Sequence, residues 1–113
     1  MIISVDDRCE LILPDDAGDH CLKEAMVRGY LSHVIVSMRD GSRYPLFFIE
    51  PVRVQQDLNQ LSKSHQRFLV EVGLVIVPDL ALATLKNVVS SLIDRGYFRY
   101  LRTLEEAPDP WNV

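Results

Sequence analysis

The pattern of apolar positions predicts a β-hairpin near the middle of the chain. Val34 and Val36 fall at alternate positions within 33–39, the two-residue period of a strand with one apolar face. The pair Asp40-Gly41 follows and is typical of hairpin turns. The returning segment YPLFFI is apolar at nearly every position. Because strands that are apolar on both faces are usually covered on both sides, we expect this segment to be an interior strand.

Three segments show the spacing of an amphipathic helix, with apolar residues three and four positions apart. They cover approximately residues 14–29, 51–61 and 80–95. A glycine follows the first and third segments, as is common at helix C-termini, and a proline opens the second, where its missing N–H costs little. The apolar stripes are Leu22, Ala25 and Met26; Val54, Leu58 and Leu61; and Leu82, Leu85, Val89 and Leu92, with Asp15 or Asp16 and Asp79 as candidate N-terminal caps of the first and third helices.

Shorter apolar runs predict further strands toward both ends of the chain. MIISV and CELIL indicate one or two short strands before the first helix, and LVIV (74–77) indicates a fully buried strand. The segment 97–104 predicts a last strand. The element order predicts an α+β fold, a two-layer sandwich with a ferredoxin-like βαββαβ core and an added C-terminal helix and strand.

Length and composition are those of one soluble domain. The chain has 113 residues, of which 48% are hydrophobic and 25% are charged. We assign residues 1–104 to a single α/β domain and 105–113 to an acidic, proline-containing tail. Trp111 lies in that tail, and we expect it to dock either on its own domain or on a partner.

Negative charge is concentrated at the N-terminal end. The formal net charge is −4, and residues 1–20 contain six acids against Arg8 alone. The chain has no basic run, which disfavours nucleic acid and anionic membranes as partners. An acidic surface suits a basic protein partner instead, with Asp15, Asp16 and Asp19 as the candidate contacts. The alternative is a solvated acidic surface that only maintains solubility.

The number of cysteines and the length of the apolar runs indicate where in the cell the protein is expected. The two cysteines, Cys9 and Cys21, are too few for a disulfide framework. The N-terminus lacks the basic and apolar regions of a signal peptide, and PLFFI and LVIV are too short to span a membrane. These features predict a cytoplasmic protein with reduced thiols.

No catalytic or cofactor motif is recognisable. The sequence contains no nucleophile elbow, phosphate-binding loop, dinucleotide fingerprint or paired-histidine zinc motif. Cys9, His20 and Cys21 match no zinc spacing, because adjacent residues on a helix point about 100° apart. We therefore predict no metal and no cofactor.

The best polar cluster is predicted at the junction between the apolar strand and the second helix. Arg53 and Asp57 are four residues apart on one helix face and can form an ion pair, and Glu50 lies one turn earlier. One interpretation is a partner-binding site at the junction. The other is a surface ion-pair ladder that contributes a few tenths of a kcal/mol.

Two stretches resemble a pattern found in small bacterial α/β proteins of unassigned role. The first is YPLFFIEPVRVQQDL, and the second is LVIVPDLALATLKNVVSSLIDRGYF, so the resemblance covers residues 44–98. It implies a compact bacterial domain and brings no activity with it. Leu80-Ala81 departs from the capping threonine of that pattern, leaving Asp79 to cap alone. The matching positions are Tyr44, Pro45, Phe48, Glu50, Pro51, Arg53, Gln56, Asp57, Leu58, Val77, Pro78, Gly96, Tyr97 and Phe98.

Size, acidity and the lack of a motif favour a non-catalytic protein-binding module. Immunity and inhibitor proteins of this kind mask a basic partner with a charged surface. The alternative is a dimeric small-molecule-binding or regulatory domain, with a ligand held where two sheets pair. An enzyme would require Glu50, Arg53 and Asp57 to act with His33 or His65, which no spacing in the sequence demands.

Overall fold

The fold is α+β, as the sequence predicts, with a five-stranded mixed sheet and three α-helices in the residues described. The computed structural model describes residues 2–14, 19–65 and 68–104. In the described residues, a 3₁₀ turn follows the third helix. The elements are β1 (Ile2–Ser4), β2 (Cys9–Ile12), α1 (Asp19–Arg28), β3 (Tyr30–Met38), β4 (Arg43–Ile49), α2 (Pro51–Ser62), β5 (Leu74–Ile76), α3 (Leu82–Asp94) and the 3₁₀ turn Tyr97–Tyr100.

The strands lie side by side in the order of the chain, β1-β2-β3-β4-β5. Strands β1 to β4 are antiparallel, and β5 runs parallel to β4. The predicted hairpin is confirmed as β3–β4. Its turn is closed by the Met38 N–H, which donates to the Ser42 carbonyl at 2.7 Å, and Gly41 takes the left-handed φ of 93° that this turn needs.

The ferredoxin-like part of the predicted fold is not confirmed. The element sequence βαββαβ is present from β2 to β5, but a split βαβ arrangement places another strand between two strands joined by a helix. Here β4 and β5, joined by α2, are direct neighbours, and β2 and β3, joined by α1, are antiparallel neighbours. Periodicity indicated the elements from β2 to β5 but contains no information on which strands pair.

Helices α1 and α3 and one face of the sheet form the main core, a two-layer arrangement. The apolar stripe of α3 is confirmed, with Leu85 and Val89 completely buried. Alternate residues of β4, including Leu46 and Phe48, face the same cluster. Strand β4 is interior, as predicted, because β3 and β5 pair with its two edges.

Helix α2 lies outside that core. None of its residues, all of which the structure describes, is buried. Ile49 is fully buried but does not belong to the main cluster, and Phe47 stacks on Tyr30 with ring centroids 6.0 Å apart. Because residues alternate between faces along β4, Phe47 and Ile49 belong to the second face of the sheet. The second face is therefore covered separately, near the start of α2.

Two predictions about the C-terminal third of the chain differ from the structure. Residues 97–104 form no strand; Tyr97–Tyr100 is a 3₁₀ turn. It follows Gly96, whose φ of 71° redirects the chain after α3 so that Phe98 enters the core. The prediction that Asp79 caps the third helix is wrong: α3 begins at Leu82, and its N-cap residue is Ala81, which makes no side-chain capping bond. Asp79 accepts a hydrogen bond from the Ala81 N–H, before the helix starts. No described helix has the length and apolar character needed to cross a membrane.

Candidate functional site

Four exposed apolar side chains lie in β5 or in the segment that leads into it. Phe68, Val70, Val72 and Ile76 lie within nine residues and are exposed by 59%, 70%, 48% and 58% respectively. Exposed apolar residues this dense in one short segment make the segment a candidate binding surface. We call these four side chains, together with the outer edge of β5, the edge surface.

The outer edge of β5 also carries backbone groups without partners. The Gly73 carbonyl accepts from the Phe47 N–H at 2.9 Å, and the Val77 N–H donates to the Ile49 carbonyl at 2.9 Å, so both point at β4. Backbone groups alternate in direction along a strand, so those of Leu74 and Ile76 point outward. The Leu74 N–H donates to the Glu71 carbonyl. Among the described residues, the Leu74 carbonyl and both groups of Ile76 remain unpaired.

A carboxylate stands near each end of β5. Glu71 precedes the strand and is exposed. Asp79 follows it, and its carboxylate accepts from the Thr84 hydroxyl at 2.6 Å and from the Ala81 N–H at 3.0 Å. These two hydrogen bonds, that from Thr84 foremost, lower the pKa of Asp79. Exposed acidic residues thus lie on both sides of β5 along the chain.

The prediction that residues 74–77 are fully buried is wrong for most of the segment. Only Val77 is buried; Leu74 and Val75 are half-buried, and Ile76 is exposed. An apolar run in the sequence is the same whether the strand is covered on both sides or lies exposed at the sheet edge. Periodicity therefore could not show that β5 is exposed. The alternation of Phe68, Val70 and Val72 just before the run was the available signal.

The predicted pair of Arg53 and Asp57 is confirmed, and it belongs to a larger cluster. The Arg53 Nε donates to the Asp57 carboxylate at 2.8 Å. The Arg53 and Arg28 guanidinium groups lie 4.8 and 5.0 Å from the centre of the Tyr30 ring, within cation–π distance. Arg53 also donates to the Arg28 carbonyl. These contacts tie the start of α2 to the end of α1 and give Arg53 a structural role.

Glu50 has a different role at the junction between β4 and α2. It is the N-cap residue of α2, but its side chain makes no capping hydrogen bond, and no ion pair joins it to Arg53 among the described residues. Its N–H donates to the Gly29 carbonyl at 2.9 Å. Glu50 therefore positions the junction through its backbone.

The acidic N-terminal segment is divided by the fold. Asp6 and Asp7 lie in the turn before β2, whereas Asp15, Asp16 and Asp19 follow its other end. Asp15 and Asp16 fall outside the described residues, as does Trp111, and Asp19 is the first residue of α1. The side chains of all four predicted contact residues therefore lie outside what the structure describes.

Asp6 is the centre of an ion-pair network between the β1–β2 turn and α3. The Arg8 guanidinium donates to the Asp6 carboxylate at 2.9 Å and to Asp94 at 2.6 Å. The Ser90 hydroxyl also joins both Arg8 and Asp6. The Arg8 hydrogen bonds lower the pKa of Asp6 from 3.8 to about 2.

Replacing Asp6 by asparagine is expected to remove an acid-sensitive part of the stability. Because the pKa of Asp6 is lower in the folded state, its contribution is complete above pH 3.8 and is lost as the pH falls toward about 2. At neutral pH the variant should lose no more than about 1 kcal/mol, since the pair is partly exposed. Urea unfolding between pH 2 and 7 measures both effects. Asp7→Asn, at the exposed neighbouring carboxylate, is the control, and equal pH profiles for the two variants would contradict the prediction.

The Cys9 thiol is buried beside a surface cleft. Cys9 is buried with a free thiol, and burial raises its pKa to about 11, so the nucleophilic thiolate is scarce at neutral pH. A surface cleft of about 290 Å³ adjoins it, lined by Asp6, Arg8 and Glu10 among others. No group of three metal-ligating side chains occurs within residues 2–14, 22–65 and 68–104.

Comparison with known proteins identified no match for this chain. No protein-family model, curated protein or solved structure matches the chain. The fold and the candidate site therefore define the protein by themselves, as an α+β domain with an apolar edge strand between two carboxylates.

Proposed function

We propose that the protein is a non-catalytic protein-binding module that masks a basic partner, as inhibitor and immunity proteins do. The observation that carries this proposal is the edge surface, where four large apolar side chains are about half or more exposed. Covering such a surface removes apolar area from water, which is the main favourable term in most protein associations.

Charge favours a basic partner over a neutral one. The net charge is −4, and the exposed Glu71 and Asp79 flank the edge surface. Asp15, Asp16 and Asp19 add further negative charge, and long-range attraction does not require them to touch the partner. Their proposed role is to accelerate encounter, while the edge surface holds the complex.

The proposal is tested by capturing a partner and measuring how fast it binds. The tagged protein is incubated with a lysate of its source organism at low salt and eluted in salt steps, with masses determined by light scattering. A purified basic partner is then assayed by stopped flow against the variant Asp15→Asn/Asp16→Asn/Asp19→Asn. The association rate should fall by about tenfold at low salt and by less at high salt.

A second triple variant controls for net charge. Glu105→Gln/Glu106→Gln/Asp109→Asn removes the same number of negative charges at the C-terminal end and should leave the rate within about twofold of wild type, because steering depends on charge position. Equal rates for the two triple variants would contradict the proposed role of the N-terminal acids in accelerating encounter. A homodimer that retains no partner would contradict the masking function and favour the dimeric ligand-binding alternative.

A further inference from the structure

We infer that the partner is bound by strand addition, in which an extended segment with apolar residues between basic ones pairs with the outer edge of β5. This inference rests on the proposed function and specifies how the partner is recognised. Strand β5 lies at the end of the sheet, so its outer side faces no other strand in the described part of the chain. Unpaired strand edges are templates for another chain.

The backbone of β5 presents the groups that strand addition requires. The Ile76 N–H and carbonyl and the Leu74 carbonyl point away from β4, as derived above from the bonds of Gly73 and Val77. A partner strand would satisfy these groups and extend the sheet to six strands. Pro78 has no N–H and follows directly, which ends the available ladder at the close of β5.

The side chains define which segment fits. Ile76 and Leu74 are on the second face of the sheet, because they pair with Ile49 and Phe47. Ile76 is 58% exposed and can contact an apolar side chain on a neighbouring strand. Glu71 and Asp79 stand near the two ends, where lysine or arginine of the partner would neutralise them. The ligand class is therefore an extended basic peptide with an apolar centre.

The same charges disfavour a second copy of this chain as the occupant. A twofold dimer through this edge would pair β5 with itself in antiparallel orientation. The Glu71 end of one strand would then lie beside the Asp79 end of the other, twice in each dimer. Like charges facing each other across strands are destabilising, whereas a basic segment turns both contacts into attractions.

The test uses a defined probe, the acetylated and amidated peptide Lys-Lys-Val-Thr-Val-Thr-Val-Lys-Lys, titrated into the full-length ¹⁵N-labelled protein at low salt. On saturation, exchange of the Ile76 amide hydrogen should slow by about tenfold or more, because that N–H becomes hydrogen-bonded. The Val77 amide, which already donates to Ile49, should change far less. A peptide with glutamate in place of lysine should not bind.

Two lysine substitutions separate the edge from general charge effects. Ile76→Lys should weaken peptide binding by about tenfold or more, while Val27→Lys, at a 90% exposed position on α1, should stay within about twofold of wild type. Equal affinities for the two variants, an unprotected Ile76 amide in the bound state, or no binding at millimolar peptide would each overturn strand addition. The lysate capture decides the masking function separately, since a partner bound elsewhere would still be retained.

Discussion

Replacing Gly73 by alanine is expected to destabilise the protein by about 3 kcal/mol, through steric overlap and backbone strain together. Gly73 has a φ of 71°, and a Cβ built there would lie 2.3 Å from the Pro45 carbonyl oxygen. That oxygen belongs to the backbone of an interior strand, so it cannot move aside without displacing β4. Urea unfolding should show the midpoint shifting with little change in slope.

Gly41 supplies the matched control. It too has a positive φ, of 93°, but an added Cβ would meet nothing within 4 Å. Gly41→Ala should therefore cost only the conformational strain, about 1 kcal/mol. Equal losses for the two variants would show that the close approach of Gly73 to β4 does not contribute. Because the turn at Gly73 leads into β5, Gly73→Ala should also weaken binding at the edge surface.

Replacing Phe48 by alanine is expected to cost about 3–5 kcal/mol, the largest effect of any substitution considered. Phe48 is fully buried in β4, paired with Leu31 on one side and Val75 on the other. Its removal takes apolar contacts from the core and leaves a cavity that flanking strands cannot close. Because domains of this size are stable by about 5–15 kcal/mol, the variant should be partly or largely unfolded at 37 °C.

The control for Phe48 is Tyr100→Ala. This aromatic residue is 86% exposed in the 3₁₀ turn, so its loss should change the free energy of unfolding by no more than about 0.5 kcal/mol. Thermal and urea denaturation of the two variants measure the contrast. A Phe48→Ala variant as stable as Tyr100→Ala would be incompatible with the core that β4 forms with α1 and α3.

Features governed by neighbours in the chain were predictable. The β3–β4 hairpin follows from local alternation and the Asp40-Gly41 turn, and the α3 stripe follows from spacing over four turns. The Arg53–Asp57 pair follows from helix geometry alone, since residues four apart share a face. The contact between Arg53 and Tyr30 could not be predicted from the sequence, because Tyr30 begins β3, and only the fold brings that residue next to α2.

Most of the candidate site could not be predicted from the sequence. Asp15, Asp16 and Asp19 stood out because they are close together in the chain, while the edge surface was concealed within an apolar run that resembled a buried strand. Burial depends on what covers a residue, and the cover of β5 is decided by strand order. Likewise, Phe98 was predicted in a strand, but the left-handed Gly96 directs it into the core instead.

By itself the sequence determined the α+β class, the β3–β4 hairpin, the three helices and most of the core, because these depend on periodicity and turn residues within a few positions. Only the tertiary structure decided that the strands lie in chain order and that β5 is an edge. Strand pairing joins residues far apart in sequence, and an extended strand forms the same hydrogen bonds with any neighbour. Which neighbour it has, and whether one edge stays open, is settled by packing of the whole sheet against its helices.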